Sequence, residues 1–170
     1  MYTIANFFYK YIIKLLFVIF ILLVYNDFMK KIRYFIPAII WMIFIFIMSH
    51  TNGNDSSNQS NFIAQIILRF INVDLNILTF IIRKIAHMCE YAILFLLIYY
   101  GLHKTIKYQY KLLISLIISI LYACSDEFHQ IFISGRSGQF KDVIIDTTGM
   151  IIMLSIIYLW QKEKKSNHHY

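Results

Sequence analysis

A helix that crosses a bilayer needs roughly 20 consecutive, mostly apolar residues, and this chain offers four such runs, at about 34–50, 78–101, 111–130 and 141–161. Inside hydrocarbon every backbone N–H and C=O has to find its partner within the protein, which a helix does by itself and an open strand does not. The four runs therefore predict an all-α fold, a polytopic membrane bundle of four core helices. A composition that is 59% hydrophobic, with one proline and a mean hydropathy of +0.63, agrees with a bilayer-embedded domain and not with a soluble core.

Two further segments flank or interrupt those spans. Residues 7–25 form another apolar run, readable as a fifth span or as an interfacial helix, because Asn6, Lys10 and Lys14 place a polar stripe ahead of the apolar stretch 17–24. No small-residue cleavage site follows it, so a cleaved signal peptide is not expected. Met29-Lys30-Lys31-Ile32-Arg33 has the form of a protein start, which sets residues 1–28 apart as a segment that the native chain need not contain; the domain then covers 29–165 and a short tail 166–170. Residues 50–60, rich in Ser, Asn and Gln, read as a solvent loop. After them Asn61, Gln65, Arg69 and Asn72 lie opposite Phe62, Ile63, Ile66, Ile67, Phe70 and Ile71, the pattern of an interfacial helix, with a tertiary contact on the bundle as the alternative.

The chain carries 16 Lys and Arg against 9 Asp and Glu, a formal charge of +7. These basic residues sit in short breaks beside apolar runs, so they point to membrane orientation and not to nucleic acid. Lys30, Lys31 and Arg33, then Lys104, Lys107 and Lys111, then Lys162, Lys164 and Lys165 mark three connections as cytoplasmic, with the C-terminus on that side. Residues 50–77 and the turn at 134–138 would then face outward.

Against this background two motifs stand out, Arg83-Lys84-x-x-His87-x-x-Glu90-Tyr91 and Ser125-Asp126-Glu127-x-His129-Gln130. A charged group at the bilayer centre costs roughly 2.5–3.5 kcal/mol on insertion scales, so it survives where it is paired or lines a polar cavity. Arg83, His87 and Glu90 share one helical stripe; Asp126, His129 and Gln130 share another, and Asp142 and Asp146 open the last span. All lie toward the expected outer side. Glu90, Asp126, Glu127, Asp142 and Asp146 nearly balance Arg83, Lys84, Arg136 and Lys141, which allows a structural reading of ion pairs that fix helix register. His87-x-x-Glu90 and Asp126-x-x-His129 have the spacing of helical metal ligands, but the four cations oppose a divalent ion and no metal is assigned. Alternatively, Arg83, Lys84 and Arg136 would clamp a phosphate while His87 or His129, oriented by Glu90 or Asp126, moved a proton. Cys89 and Cys124 read as small hydrophobes, and His50 and His103 as solvated span ends.

The combined pattern resembles the VanZ-like family of small bacterial integral membrane proteins. The resemblance rests on Arg83-Lys84-x-x-His87-x-x-Glu90-Tyr91-x-x-Leu94, Ser125-Asp126-Glu127-x-His129-Gln130, Gly135-Arg136 and Asp142-x-x-x-Asp146-x-x-Gly149, and covers about residues 30–160. Thr147 and Thr148 stand where many relatives have asparagine. The resemblance implies a multi-pass protein of the bacterial cell membrane, connected in some members with resistance to teicoplanin and related glycopeptide or lipoglycopeptide antibiotics. Neither the residues nor the resemblance identifies a cofactor. Two functions follow as expectations. One is a binding protein whose partners are membrane lipids, a lipid-linked envelope precursor or the lipoglycopeptide, held by Arg83, Lys84, Tyr91, Ser125, Glu127, Gln130, Arg136, Asp142 and Asp146. The other is a membrane-embedded hydrolase or transferase on a lipid-linked, phosphate-bearing substrate, with His87, Glu90, Asp126 and His129 as its chemistry.

Overall fold

A computed structural model describes residues 30–106 and 108–167, so the reading of 7–25 lies outside the described residues. The regular structure of the described residues is all helix, with no strand among them. A turn of 3-10 helix at Arg33–Phe35 leads into α1, Ile36–Ser49, and Pro37 sits in the first turn of α1, where its missing N–H costs nothing. α2 is Gly53–Ile67, α3 Leu75–His103, α4 Tyr108–Gln130 and α5 Phe140–Ser166.

Four of these helices, counting Lys30–Ser49 as one, are long and apolar enough to cross a membrane. They alternate in direction. Consequently one end of the bundle gathers Ser49, α2, the start of α3, the end of α4 and the start of α5, and the opposite end is rich in lysine. The side chains facing away from the bundle are apolar, as with Ile40 and Ile47 on α1, Ile77 and Ile85 on α3, Leu113 and Leu121 on α4, and Ile152 and Ile156 on α5. A soluble protein would not expose so continuous an apolar belt; a bilayer covers it without cost. The protein is a multi-pass membrane protein.

α3 is the central helix and touches every other one. Its Tyr91, Leu94 and Phe95 are fully buried together with Met150 of α5, Ile45 of α1 and Ala123 of α4. Because lipid tails are as apolar as leucine, helices in a bilayer are held by close packing and by hydrogen bonds between them. Both are present. Gly149 lets α5 lie against α3, since a Cβ there would stand 2.2 Å from the Met88 carbonyl oxygen. Ser115, Ser119 and Ala123 keep one stripe of α4 small and buried. Trp41 Nε1 donates to the Glu90 carbonyl at 2.9 Å, and the Tyr122 hydroxyl donates to the Met42 carbonyl at 2.6 Å.

Two sequence expectations change. The polar stretch 50–60 is not a loop: α2 begins at Gly53, with the Asn52 side chain accepting from the Asn54 N–H and Asp55 in the first turn. Such an N-cap and acidic first turn start a helix without any apolar residue. Gly53, Ser60 and Ala64 turn inward, Asn61 accepts a hydrogen bond from Thr79 of α3 at 2.7 Å, and Phe62, Ile63 and Ile66 are exposed, so one helix has both a bundle contact and an outward apolar face. The helix ends at Ile67, leaving Arg69 and Asn72 beyond it. The second change concerns Lys111, which is not a loop charge but is buried within α4, its ammonium donating to the His103 carbonyl at 3.3 Å.

Candidate functional site

The polar end is assembled around the connection 131–139. Gly135 adopts a positive φ of 75°, open to glycine at little cost, and the Ser134 carbonyl accepts from the Gly53 N–H at 3.2 Å, tying this connection to the start of α2. The next residue, Arg136, is committed to the end of α1. Its Nε donates to the Thr51 carbonyl at 2.8 Å, and its Nη2 to the Met48 carbonyl at 2.9 Å and the Thr51 hydroxyl at 3.0 Å. A guanidinium there satisfies carbonyls left open by the helix terminus and complements the negative end of its dipole. Burial pulls its pKa below the ordinary arginine value, opposed first by the nearby Asp126 carboxylate.

The carboxylates divide by what holds them. Asp142, in the first turn of α5, is ion-paired with Lys84 of α3, whose ammonium also stands 5.3 Å from the centre of the Phe80 ring. Glu127, 5% exposed, accepts at 3.0 Å from the Gln139 N–H and so caps the start of α5, where Gln139 makes no side-chain cap of its own. Asp126, 4% exposed, accepts from the Gln130 amide at 3.0 Å, and the same amide donates to the Ser49 hydroxyl at 2.8 Å. Thus three carboxylates and Gln130 join α1, α3, α4 and α5.

A deeper group lacks such partners. Asp146 is 1% exposed and neither of its carboxyl oxygens has a hydrogen bond within the described residues; the same holds for Asp126 Oδ1, the Tyr91 hydroxyl and His87 Nδ1. His87 Nδ1 stands 4.0 Å from both Glu90 Oε2 and Asp146 Oδ1. A buried polar atom without a partner costs about 1–3 kcal/mol, more when charged, so folding alone gives no reason to keep several together. Unlike Asp142 and Glu127, these groups meet across α3 and α5 only through the 4.0 Å approach of His87 to Asp146.

Two clefts open beside them. The larger, about 380 Å³, lies between α3 and the segment from Gln130 to α5, with Arg83, Lys84, His87, Arg136, Lys141 and Asp142 in its wall. The smaller, about 80 Å³, lies under α2 and is lined by Ser56, Gln59, Ser60, Arg83, His87, Glu90 and Arg136, among others. Arg83, His87 and Arg136 face both clefts. Arg83 and Lys141 make no ion pair or hydrogen bond among the described residues.

Two of the sequence candidates stand apart. Ser125 is exposed and donates to the Tyr122 carbonyl of its own helix at 2.7 Å. His129 lines neither cleft; its ring stacks on Phe46 with centroids 4.8 Å apart, and its Nε2 is 3.2 Å from His50 Nδ1. His50 is therefore a partner and not merely a solvated end. The two cysteines are exposed and unbridged. Among the described residues no group of three or more His, Cys, Asp or Glu side chains is placed to hold a metal ion. Sequence reasoning missed the α2 serines and Gln59, because the helix that carries them has almost no apolar signal.

Comparison with curated proteins and with solved structures gives no match. The paired basic and acidic stripes on three helices, joined through Arg136, Asp142 and Gln130, fall within the stretch that matches a family model, and with residues 34–161 matched the chain belongs to the VanZ/LLP1 family.

Proposed function

We propose that the polar end of the bundle faces the outer surface of a bacterial cell membrane, with the C-terminus cytoplasmic, and that its clefts bind a charged group of a cell-envelope component. The ligand is the phosphate of a lipid-linked precursor or a lipoglycopeptide antibiotic, and binding contributes to glycopeptide or lipoglycopeptide resistance. The observation that carries this reading is that two cations in the larger cleft, Arg83 and Lys141, have no anionic partner among the described residues, whereas Lys84 and Arg136 beside them are used by the fold. Guanidinium and ammonium groups at a cleft wall recognise phosphate and carboxylate through charge-assisted hydrogen bonds. The orientation is supported by the lysines gathered at the opposite end, which the positive-inside rule assigns to the cytoplasm.

A second reading is favoured by one feature. An imidazole between two carboxylates, as His87 is between Glu90 and Asp146, suits a group that takes and returns a proton. A hydrolase or transferase acting on a lipid-linked phosphate would then use His87, Glu90 and Asp146, with Asp126 close by, while His129 lies outside the clefts.

Expression in a teicoplanin-sensitive bacterium tests both. The native chain is expected to raise the inhibitory concentration several-fold, and Arg83→Gln with Lys141→Gln to return it to the vector level at equal membrane abundance. An unchanged inhibitory concentration with the native chain removes the resistance role, and full resistance in the double variant removes the cleft. Glu90→Gln and Asp146→Asn separate the two readings, since a proton-transfer role does not survive loss of the carboxylates and a binding role keeps a measurable part of the resistance.

A further inference from the structure

The lysine-rich end carries a groove of its own. It is about 310 Å³ and lies between the first turns of α4 and the last turns of α5, lined by Gln109, Leu112, Tyr158, Gln161, Lys162 and Lys165. Its lining is layered along the membrane normal. Leu112 and Tyr158 stand on the bilayer side, and Gln161, Lys162 and Lys165 follow toward the end of α5. Gln161 is fixed in place by its amide, which donates to the Tyr99 hydroxyl of α3 at 2.5 Å. Trp160, on the face of α5 turned away from the groove, is exposed with the Lys164 ammonium 5.4 Å from its ring centre, the placement of an aromatic residue that anchors a helix at headgroup level.

We propose that this groove is a binding site for an anionic phospholipid, its phosphate held by Lys162 and Lys165 with amide donors from Gln109 and Gln161, and its first acyl carbons along Leu112 and Tyr158. The charge is complementary: α5 ends with Lys162, Lys164 and Lys165 against a single acid, Glu163. Basic side chains at the membrane surface attract acidic lipids, and a wall that is apolar below and basic above matches an amphiphile and not a free ion. The site is separate from the clefts at the polar end and independent of their function.

The test is native mass spectrometry of the full chain from neutral detergent, titrated with phosphatidylglycerol or with phosphatidylcholine. The expected result is a resolved one-lipid adduct with phosphatidylglycerol, at least five-fold weaker with phosphatidylcholine, and reduced five-fold or more in Lys162→Gln with Lys165→Gln. Arg69→Gln, exposed beyond α2 at the other end, is expected to leave the adduct unchanged. Equal retention of the two lipids, an undiminished adduct in the double variant, or full displacement by millimolar inorganic phosphate would each overturn the proposal, the last by assigning the groove to the free anion. Circular dichroism of the double variant matching the native chain guards the comparison against misfolding.

Discussion

At the scale of single residues, the polar end divides into side chains that hold helices together and side chains that do not. Arg136 is of the first kind, with three hydrogen bonds to the end of α1. Arg136→Ala is expected to lower stability by about 3 kcal/mol, since hydrogen bonds to charged groups contribute roughly 1.5–3 kcal/mol each and not all are lost without relaxation; the check is thermal unfolding in detergent. Asp146 is of the second kind. Replacing it with asparagine keeps the shape and removes a carboxyl group whose oxygens accept no hydrogen bond among the described residues, so Asp146→Asn is expected to unfold at the same or a higher temperature than the native chain. A marked loss of stability would show that the carboxylate serves the fold. Gly149→Ala meets the Met88 carbonyl and is expected to cost about 1–3 kcal/mol, typical of overpacking.

The elements show how far the sequence could be read. The four spans were legible because hydrophobic length is set by the bilayer, and their ends fall within a few residues of those seen. α2 was only half legible. Its apolar residues from Phe62 onward announced a helix, but residues 53–61 have the composition of a loop, and the clue to their structure is the Asn52 cap and Asp55. Lys111 and His129 failed for a different reason. The charge of one and the helical spacing of the other were clear, but which neighbour each would meet depends on tertiary packing, here His103 and His50. Likewise Asp126 and His129 are three residues apart on one helix, yet one turns into the bundle and the other packs against α1. For α2 itself, Asn52→Ala is expected to cost about 1 kcal/mol through loss of the cap, read as faster amide exchange at residues 54–57. A spin label at Phe62 or Ile66 is expected to be reached by oxygen dissolved in the bilayer more readily than by a water-soluble nickel reagent, and the reverse order would remove α2 from the membrane boundary.

For the whole molecule, length decides where the polar groups sit. α3 has 29 residues, about nine more than a span requires, and Arg83 lies eight residues from its start, about 12 Å along the axis at 1.5 Å per residue. The motif that looks like a violation of membrane chemistry therefore begins near a surface and descends into the bundle, with cations first and the unpartnered acids deeper. That gradient suits a site entered from one side of the membrane, and the central claim is that this side is the outer one. Cells expressing single-cysteine variants, with Cys89 and Cys124 replaced by serine, can be treated intact with a membrane-impermeant maleimide. Cysteine placed at Ser137 is predicted to react in intact cells and cysteine at Lys164 only after permeabilisation; reaction at Lys164 in intact cells, with Ser137 protected until the cells are opened, would contradict the account.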